Sequence, residues 1–370
     1  MTKKTFDITF KRNHSCKTAK EFIDNYFESS YYHQTYLTDT YEIHSYNNTR
    51  FNDTTAYKNI LWNFLNLNSF FNLLKLSRII NREKHSIVFL HGFNSPIQAL
   101  ILRTFLDKQI KLVVQHHAEK PYLNSFKGFI QKLAYRNLSA YVFATKALAT
   151  QYIQKKIINE GGRIEEIMEG STLFQLKDKQ ACRKALNLND EKIFLWVGRL
   201  DVNKDPLTAL KAFKAYKEQG ANFKLYLFYH SASLEKEVTD YVSRNILSEH
   251  VILRGKVPHE ELETWYNAAD FFISASHYEG SGYALCEAMA CGCVPIASSI
   301  PSFRMMTDEG RIGKLFEAGN SNDLLAKLVE VEQINFNDAR LSVRDQFANH
   351  LSFRAISEKF KILIRDLLAK

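Results

Sequence analysis

Two α/β domains, each built on a parallel sheet, are what this sequence predicts, and three observations carry the prediction. A chain of 370 residues is long enough for two domains of ordinary size, each with its own core. With 45% hydrophobic and 24% charged residues its composition is globular. Its second half alternates short apolar runs with amphipathic segments, the strand-then-helix order that a parallel sheet needs.

Taken in order, the first half offers SIVFL, KLVVQ and AYVFA as buried-type strands, with helices expected over Pro96 to Asp107, Ser125 to Asn137 and Lys146 to Lys156. The first 80 residues carry weaker periodicity and yield no element order. A further strand, RIEEIM, precedes a boundary placed at Ser171 to Lys177, so the first domain is read as 1–173. In the second half KIFLWV is a strand and DPLTALKAFKAYKEQG an amphipathic helix stopped at Gly220. FKLYLFY, VILRG and FFISAS follow as strands, separated by the helical EKEVTDYVSRNIL and HEELETWYNAA. That succession predicts a Rossmann-like domain over 174–350. The last segment, 351–370, reads as an amphipathic helix with Ile356, Phe360, Ile364 and Leu367 or Leu368 on one face. No internal repeat or low-complexity tract interrupts the chain.

Charge is unevenly placed. Residues 1–170 hold 23 Lys+Arg against 14 Asp+Glu, whereas the remainder is balanced at 26 against 26, so the whole surplus of +9 lies in the first half. Such a basic domain points to an anionic neighbour, a lipid surface or a phosphate-bearing acceptor, although a generally basic background accounts for it as well. No apolar run approaches the length of a spanning helix, and no signal-type apolar stretch follows the first basic residues, so a cytoplasmic protein is expected. Five scattered cysteines, at 16, 182, 286, 291 and 293, suit thiols better than a disulfide framework. Cys286, Cys291 and Cys293 lack a second pair at zinc-site spacing and are read as structural; no metal site is expected. Nucleic-acid binding is not expected, because the basic surplus forms no reading motif.

The chemistry concentrates in FFISASHYEGSGYALCEAMACGCVPIAS, residues 271–298. A strand ends in a polar loop, and the loop opens a helix near Tyr283 whose first backbone N–H groups attract phosphate. Gly280 and Gly282 permit a sharp turn and a close ligand. Glu279 stays outside the helix and Glu287 lies one turn inside it, so each carboxylate would read a different part of one ligand. A second block, VGRLDVNKDP, ends a strand at Gly198 and sets Arg199 and Lys204 five residues apart, both able to reach one pyrophosphate. Preorganised cations there stabilise the charge that develops on a departing diphosphate.

These two blocks resemble the retaining glycosyltransferases of family 4. EGSGYALCEAMACGCVP matches that family's Glu-x7-Glu block, with Ser281 where a Phe is more usual, and Gly198-Arg199-Leu200 with Lys204 matches its Gly-Arg-Leu…Lys pattern. The resemblance is specific over about Lys192 to Phe316, moderate over Ser86 to Ser171 and weak before that. It implies a GT-B fold: two Rossmann-like domains facing a cleft, with a terminal helix crossing back to the first. It further implies that Glu279 faces the transferred sugar, Glu287 holds the ribose, and Lys256 and Val257 border the base. The implied nucleotide-sugar set is Gly198, Arg199, Lys204, Lys256, Val257, Glu279, Gly280, Ser281, Gly282, Tyr283, Ala284 and Glu287. For catalysis the implied set is His117, Glu279, Arg199 and Lys204.

His116 and His117 both end the strand KLVVQ, where the family commonly has a histidine near the anomeric centre; His117 is favoured because a small residue follows it. Glu119 is a weak candidate for a general base, and His91-Gly92 a lesser candidate for lining the acceptor side. With no Asp-x-Asp anywhere in the chain, turnover without a metal or cofactor is expected, the nucleotide sugar being a substrate. One departure concerns the acceptor: FDITFKRNHSCKTAK lacks the Gly-Gly pair that the family often carries after its first strand.

The expected activity is transfer of a hexosyl group from a nucleotide sugar to a glycan, a lipid-linked or another acceptor, with retention, of the kind used in polysaccharide biosynthesis. A GT-B epimerase or phosphorylase, and a catalytically silent transferase-like subunit, are the alternatives. The segment SFKGFIQKLAYRN sets Phe126, Phe129, Ile130 and Leu133 on one face, bordered by Lys127, Lys132 and Arg136. Packing of that face on its own sheet is preferred over contact with an anionic bilayer at the inner membrane surface.

Overall fold

A computed structural model describes residues 4–9, 42–47, 70–82, 84–122, 126–230 and 233–369. Cys16 and residues 10–20, most of the stretch that lacks the Gly-Gly pair, lie outside these. The chain divides into two compact units, residues 1–170 with 353–370, and residues 171–352.

The first unit runs β1 (Lys4–Thr9), β2 (Glu42–Asn47), α1 (Phe70–Arg82), β3 (Ile87–His91), α2 (Pro96–Phe105), β4 (Lys111–Gln115), α3 (Phe126–Tyr135), β5 (Ala140–Phe143), α4 (Lys146–Gln154) and β6 (Ile164–Glu166). Its strands pair in parallel in the order β2-β1-β3-β4-β5-β6. Phe93, Tyr135, Phe143 and Tyr152 form a buried aromatic cluster, with Phe93 to Tyr152 at 4.5 Å and Phe93 to Tyr135 at 4.9 Å between centroids. Such rings bring a large apolar area into a small core.

The second unit holds α5 (Lys179–Ala185), β7 (Lys192–Gly198), α6 (Pro206–Glu218), β8 (Phe223–Tyr229), α7 (Glu235–Arg244), β9 (Val251–Gly255), α8 (His259–Ala268), β10 (Phe271–Ser274), α9 (Tyr283–Ala290), β11 (Val294–Ser298), α10 (Pro301–Met306), β12 (Lys314–Phe316), α11 (Ser321–Glu330) and α12 (Phe336–Gln346). Its sheet is also parallel, in the order β12-β11-β10-β7-β8-β9. The chain therefore lays strands outward from β7 on one side and then returns to place β10 against its other side. That reversal is where open α/β sheets form a ligand crevice, at the carboxyl ends of the two strands. Continuous apolar runs such as Ile193 to Trp196 are buried, as a sheet covered on both faces requires.

The closing helix α13 (Phe353–Leu368) belongs to the first unit although the chain reaches it from the second. Ile356, Phe360, Leu363, Ile364 and Leu367 are its buried stripe, and Phe360 meets Phe89 edge to face at 5.7 Å. Arg163 Nη2 and Asp366 Oδ2, 3.1 Å apart, add a polar tie.

One expectation fails here. The apolar face of α3 does not pack on its own sheet: Phe126, Phe129 and Leu133 are exposed, at 75%, 58% and 45%. Gly128, Gln131, Ala134 and Tyr135 are buried instead. The Gln131 amide sets the helix's rotation, because its Nε2 donates to Phe93 O at 3.0 Å and its Oε1 accepts from Tyr122 N at 3.1 Å. An amide bonded at both its nitrogen and its oxygen can sit in the core, and Gly128 lets the helix approach the Tyr122 backbone, where a Cβ would lie 3.0 Å from the carbonyl oxygen.

Candidate active site

At the reversal point of the second unit, the loop after β7 and the loop after β10 are laced together. His277 N donates to Asn203 O at 2.8 Å, and Asn203 Nδ2 donates to Tyr278 O at 3.0 Å. His277 Nε2 lies 3.0 Å from Asp205 Oδ2, and the Lys204 ammonium pairs with the Glu279 carboxylate. Asp205 also caps α6 by accepting from Thr208 N at 3.1 Å, which holds it in a left-handed conformation at φ +44°. Backbone cost of that kind is tolerated where the surroundings over-determine the turn.

Two of the expected cations therefore face different partners. Lys204 is held by Glu279, with its own backbone N–H donating to Asp201 Oδ1 at 2.9 Å. Arg199 is half exposed, and its Nε lies 3.1 Å from Asp201 Oδ2.

Past Glu279, the hydroxyl of buried Ser302 reaches the carbonyl oxygens of Glu279 and Gly280 at 2.6 and 3.0 Å, fixing the turn. Gly282 has φ +64°, and a Cβ there would lie 2.6 Å from Phe303 Cε1. Helix α9 then begins at Tyr283 with no side chain capping it, leaving a positive helix end beside the loop. Gly280, Ser281 and Gly282 are buried in this turn, Ala284 is half-buried and Tyr283 exposed.

Glu287 is mostly buried within α9. Its Oε1 lies 2.6 Å from His259 Nε2, and its Oε2 accepts from the Tyr266 hydroxyl at 3.2 Å. Burial, reinforced by this neighbouring carboxylate, pushes the Tyr266 hydroxyl far above its ordinary pKa, so it remains a donor. Phe174 stacks on the His259 ring at 4.9 Å. Each carboxylate oxygen has two lone pairs, so Glu287 retains accepting capacity beyond these two bonds. Lys256 is exposed and Val257 half-buried in the loop between β9 and α8.

In the first unit the histidine doublet separates cleanly. His116 is in the core, stacked on Phe143 at 4.9 Å, and its Nε2 lies 2.9 Å from Glu119 O. Burial lowers its pKa, with Glu119 opposing as the next cause. His117 is partly exposed; its Nδ1 lies 2.8 Å from Glu169 Oε2 and its Nε2 3.0 Å from His91 Nδ1. Glu119 does structural work, accepting from Phe93 N at 3.2 Å and from His117 N at 2.7 Å. A Cβ at Gly92 would collide with that carboxylate.

Cys286, Cys291 and Cys293 are buried. Cys286 Sγ lies 3.8 Å from Ser171 Oγ, and burial pushes the thiol up to about 12. These side chains fill space around α9. Asn203, Asp205, His277, Ser302, His259, Tyr266 and Glu169 were not anticipated as site neighbours, because nothing in their local spacing distinguishes them from ordinary polar residues.

Residues 178–346 match the family model of glycosyl transferases group 1. D-inositol 3-phosphate glycosyltransferase of Streptosporangium roseum is 29% identical over 173 residues, 44% of this chain and 40% of that protein. GDP-mannose:cellobiosyl-diphosphopolyprenol alpha-mannosyltransferase of Xanthomonas oryzae pv. oryzae is 24% identical over 230 residues, 61% of this chain and 59% of that protein. The chain thus spans about half the length of the curated relatives it matches. Among solved structures, sucrose-phosphate synthase from Thermosynechococcus elongatus superposes with a TM-score of 0.70 at 18% identity, covering 100% of both chains. HepE of Anabaena, solved in complex with UDP, gives a TM-score of 0.70 at 16% identity over 97% of this chain and 100% of its own. The fold is GT-B. The two laced loops, Glu287 and its partners all lie within the matched residues 178–346, whereas His117 and Glu169 lie outside them.

Proposed function

We propose that the chain is a retaining glycosyltransferase of family 4 that moves a hexosyl group from a nucleotide sugar to a glycan or lipid-linked acceptor, without a metal. The observation that carries this reading is the Lys204–Glu279 ion pair at the reversal point of the second unit, beside the uncapped start of α9. In the proposal the diphosphate takes Lys204, Arg199 and the helix end as its positive partners. Displacing Lys204 toward phosphate leaves Glu279 to a sugar hydroxyl, while Glu287, already braced by Tyr266 and His259, accepts from the ribose. Lys256 and Val257 border the base.

The first unit takes the acceptor and supplies His117. Attack comes from the same face as departure, the leaving phosphate accepting the nucleophile's proton, so no protein base is assigned. The xanthomonad relative's substrate is a diphosphopolyprenol-linked glycan, which supports a lipid-linked acceptor. So do Phe126, Phe129 and Leu133, exposed on α3 beside exposed Lys127, Lys132 and Arg136. Among the described residues no helix is long and apolar enough to cross a membrane, and peripheral contact at the cytoplasmic face is proposed.

Turnover of the purified chain with nucleotide-sugar donors, with product anomers resolved by NMR, tests the reading. Retained configuration and full activity in EDTA are expected. An inverted product, or activity lost in EDTA and restored by magnesium or manganese, would overturn the mechanism.

A further inference from the structure

We propose that Glu169 is a positioning residue for His117, and that Glu169, His117 and His91 act as one hydrogen-bonded unit. The inference deepens the proposed function and rests on its reading of His117 as a site residue. The ring of His117 is gripped at both nitrogens: Nδ1 lies 2.8 Å from Glu169 Oε2, and Nε2 lies 3.0 Å from His91 Nδ1. Its backbone N–H is held as well, donating to Glu119 Oε2 at 2.7 Å.

An ionised carboxylate only accepts, so the bond to Glu169 requires the hydrogen on His117 Nδ1. The facing pair, His117 Nε2 and His91 Nδ1, must then share a single hydrogen between them. Glu169 therefore selects the tautomer of His117, in the way a carboxylate or carbonyl on one ring nitrogen commonly fixes the role of the other. Its side chain is only 12% exposed, whereas that of His117 is 31% exposed. The orienting group is thus shielded and the oriented ring reaches the surface.

A chemical consequence follows. With Nδ1 committed to Glu169 and Nε2 to His91, His117 has no ring nitrogen left to take a proton from an acceptor. The unit presents a fixed, polarised imidazole edge to a sugar; it is not a general base. Two elements converge on this ring, which the loop after β4 carries: β3 brings His91, and the segment after β6 brings Glu169.

The test pairs spectroscopy with kinetics on the full chain. With ¹⁵N-labelled histidine, His117, assigned by comparison with His117→Gln, should show a protonated Nδ1. Glu169→Gln and Glu169→Ala should both shift that signal. Transfer by these variants should fall about 10- to 100-fold in kcat, the range for losing a carboxylate that orients an imidazole, with donor KM within about twofold. Glu169→Asp should recover part of the rate. Circular dichroism confirms that each variant is folded. A His117 spectrum unchanged by both substitutions, or an unchanged kcat, would overturn the proposal. Absence of turnover by the wild-type chain with any nucleotide sugar would instead count against the proposed function, and the NMR arm would still decide whether Glu169 sets the tautomer.

Discussion

Lys204 and Glu279 stand 75 residues apart in sequence and meet as an ion pair across the two loops at the reversal point of the second sheet. In the proposed function each shields the other's charge and holds the other in place for the donor. Lys204→Ala and Glu279→Ala are therefore each expected to lower kcat by about 10²- to 10³-fold, the usual cost of one transition-state electrostatic contact. The double variant should lose little more than the worse single one, because the pair acts as a unit. Initial rates of transfer check this, and fully additive losses would mean that the residues act independently.

Exposure of Phe126 and Phe129 beside Lys127 and Lys132 makes α3 a surface that anionic bilayers should attract. The chain should float with liposomes containing anionic lipid and stay unbound with neutral ones. Phe126→Ser together with Phe129→Ser should reduce flotation severalfold at unchanged thermal stability. Equal recovery with neutral liposomes would remove the electrostatic part of this reading.

Gly282 combines a left-handed φ with a Phe303 ring that leaves no room for a methyl group. Gly282→Ala should therefore destabilise the second unit by about 1–3 kcal/mol, from backbone strain and overpacking together. Gly161→Ala is the control, since a Cβ there meets nothing within 4 Å. Urea unfolding followed by tryptophan fluorescence should separate the two variants; equal midpoints would contradict the assignment of strain to the Gly282 turn.

Burial is the main cause of the lowered His116 pKa, which fixes a direction for the pH dependence of stability. The unfolded chain takes up this proton near 6.5 and the native chain only at lower pH. Stability is then highest above 6.5 and falls as pH drops below it toward the native value. His116→Phe should flatten that part of the curve. Unfolding free energies from pH 5 to 8 provide the check, and a slope unchanged in the variant would assign the effect to another group.

The second unit is readable because its strands are continuous apolar runs bounded by polar turns, and Gly282 stands where the turn leaves no room for a Cβ. Gly282 and Tyr283 mark the turn and the helix start in the sequence itself. What stayed hidden were contacts between segments far apart in sequence. His277 with Asp205 and Asn203, or His259 with Glu287, leave no periodic trace, since only the order of strands brings them together. The face of α3 escapes the sequence for a different reason. Hydrophobic periodicity locates an apolar stripe but does not say that the stripe is the buried one, and a hydrogen-bonded Gln131 turned the other face inward. His116 and His117, indistinguishable as neighbours in a string, are separated by the alternation of side chains leaving β4, one entering the aromatic core and one reaching the surface.

The proposed function turns on recognition of a nucleotide sugar by the second unit, and thermal unfolding across a panel of UDP, GDP and ADP sugars tests it most directly. At least one nucleotide sugar should raise the Tm of the wild-type chain by several degrees at saturation, by linkage of binding to folding. Glu287→Ala should lose most of that rise while keeping a cooperative transition. A wild-type Tm that no nucleotide sugar moves, or a shift that Glu287→Ala retains in full, would contradict it.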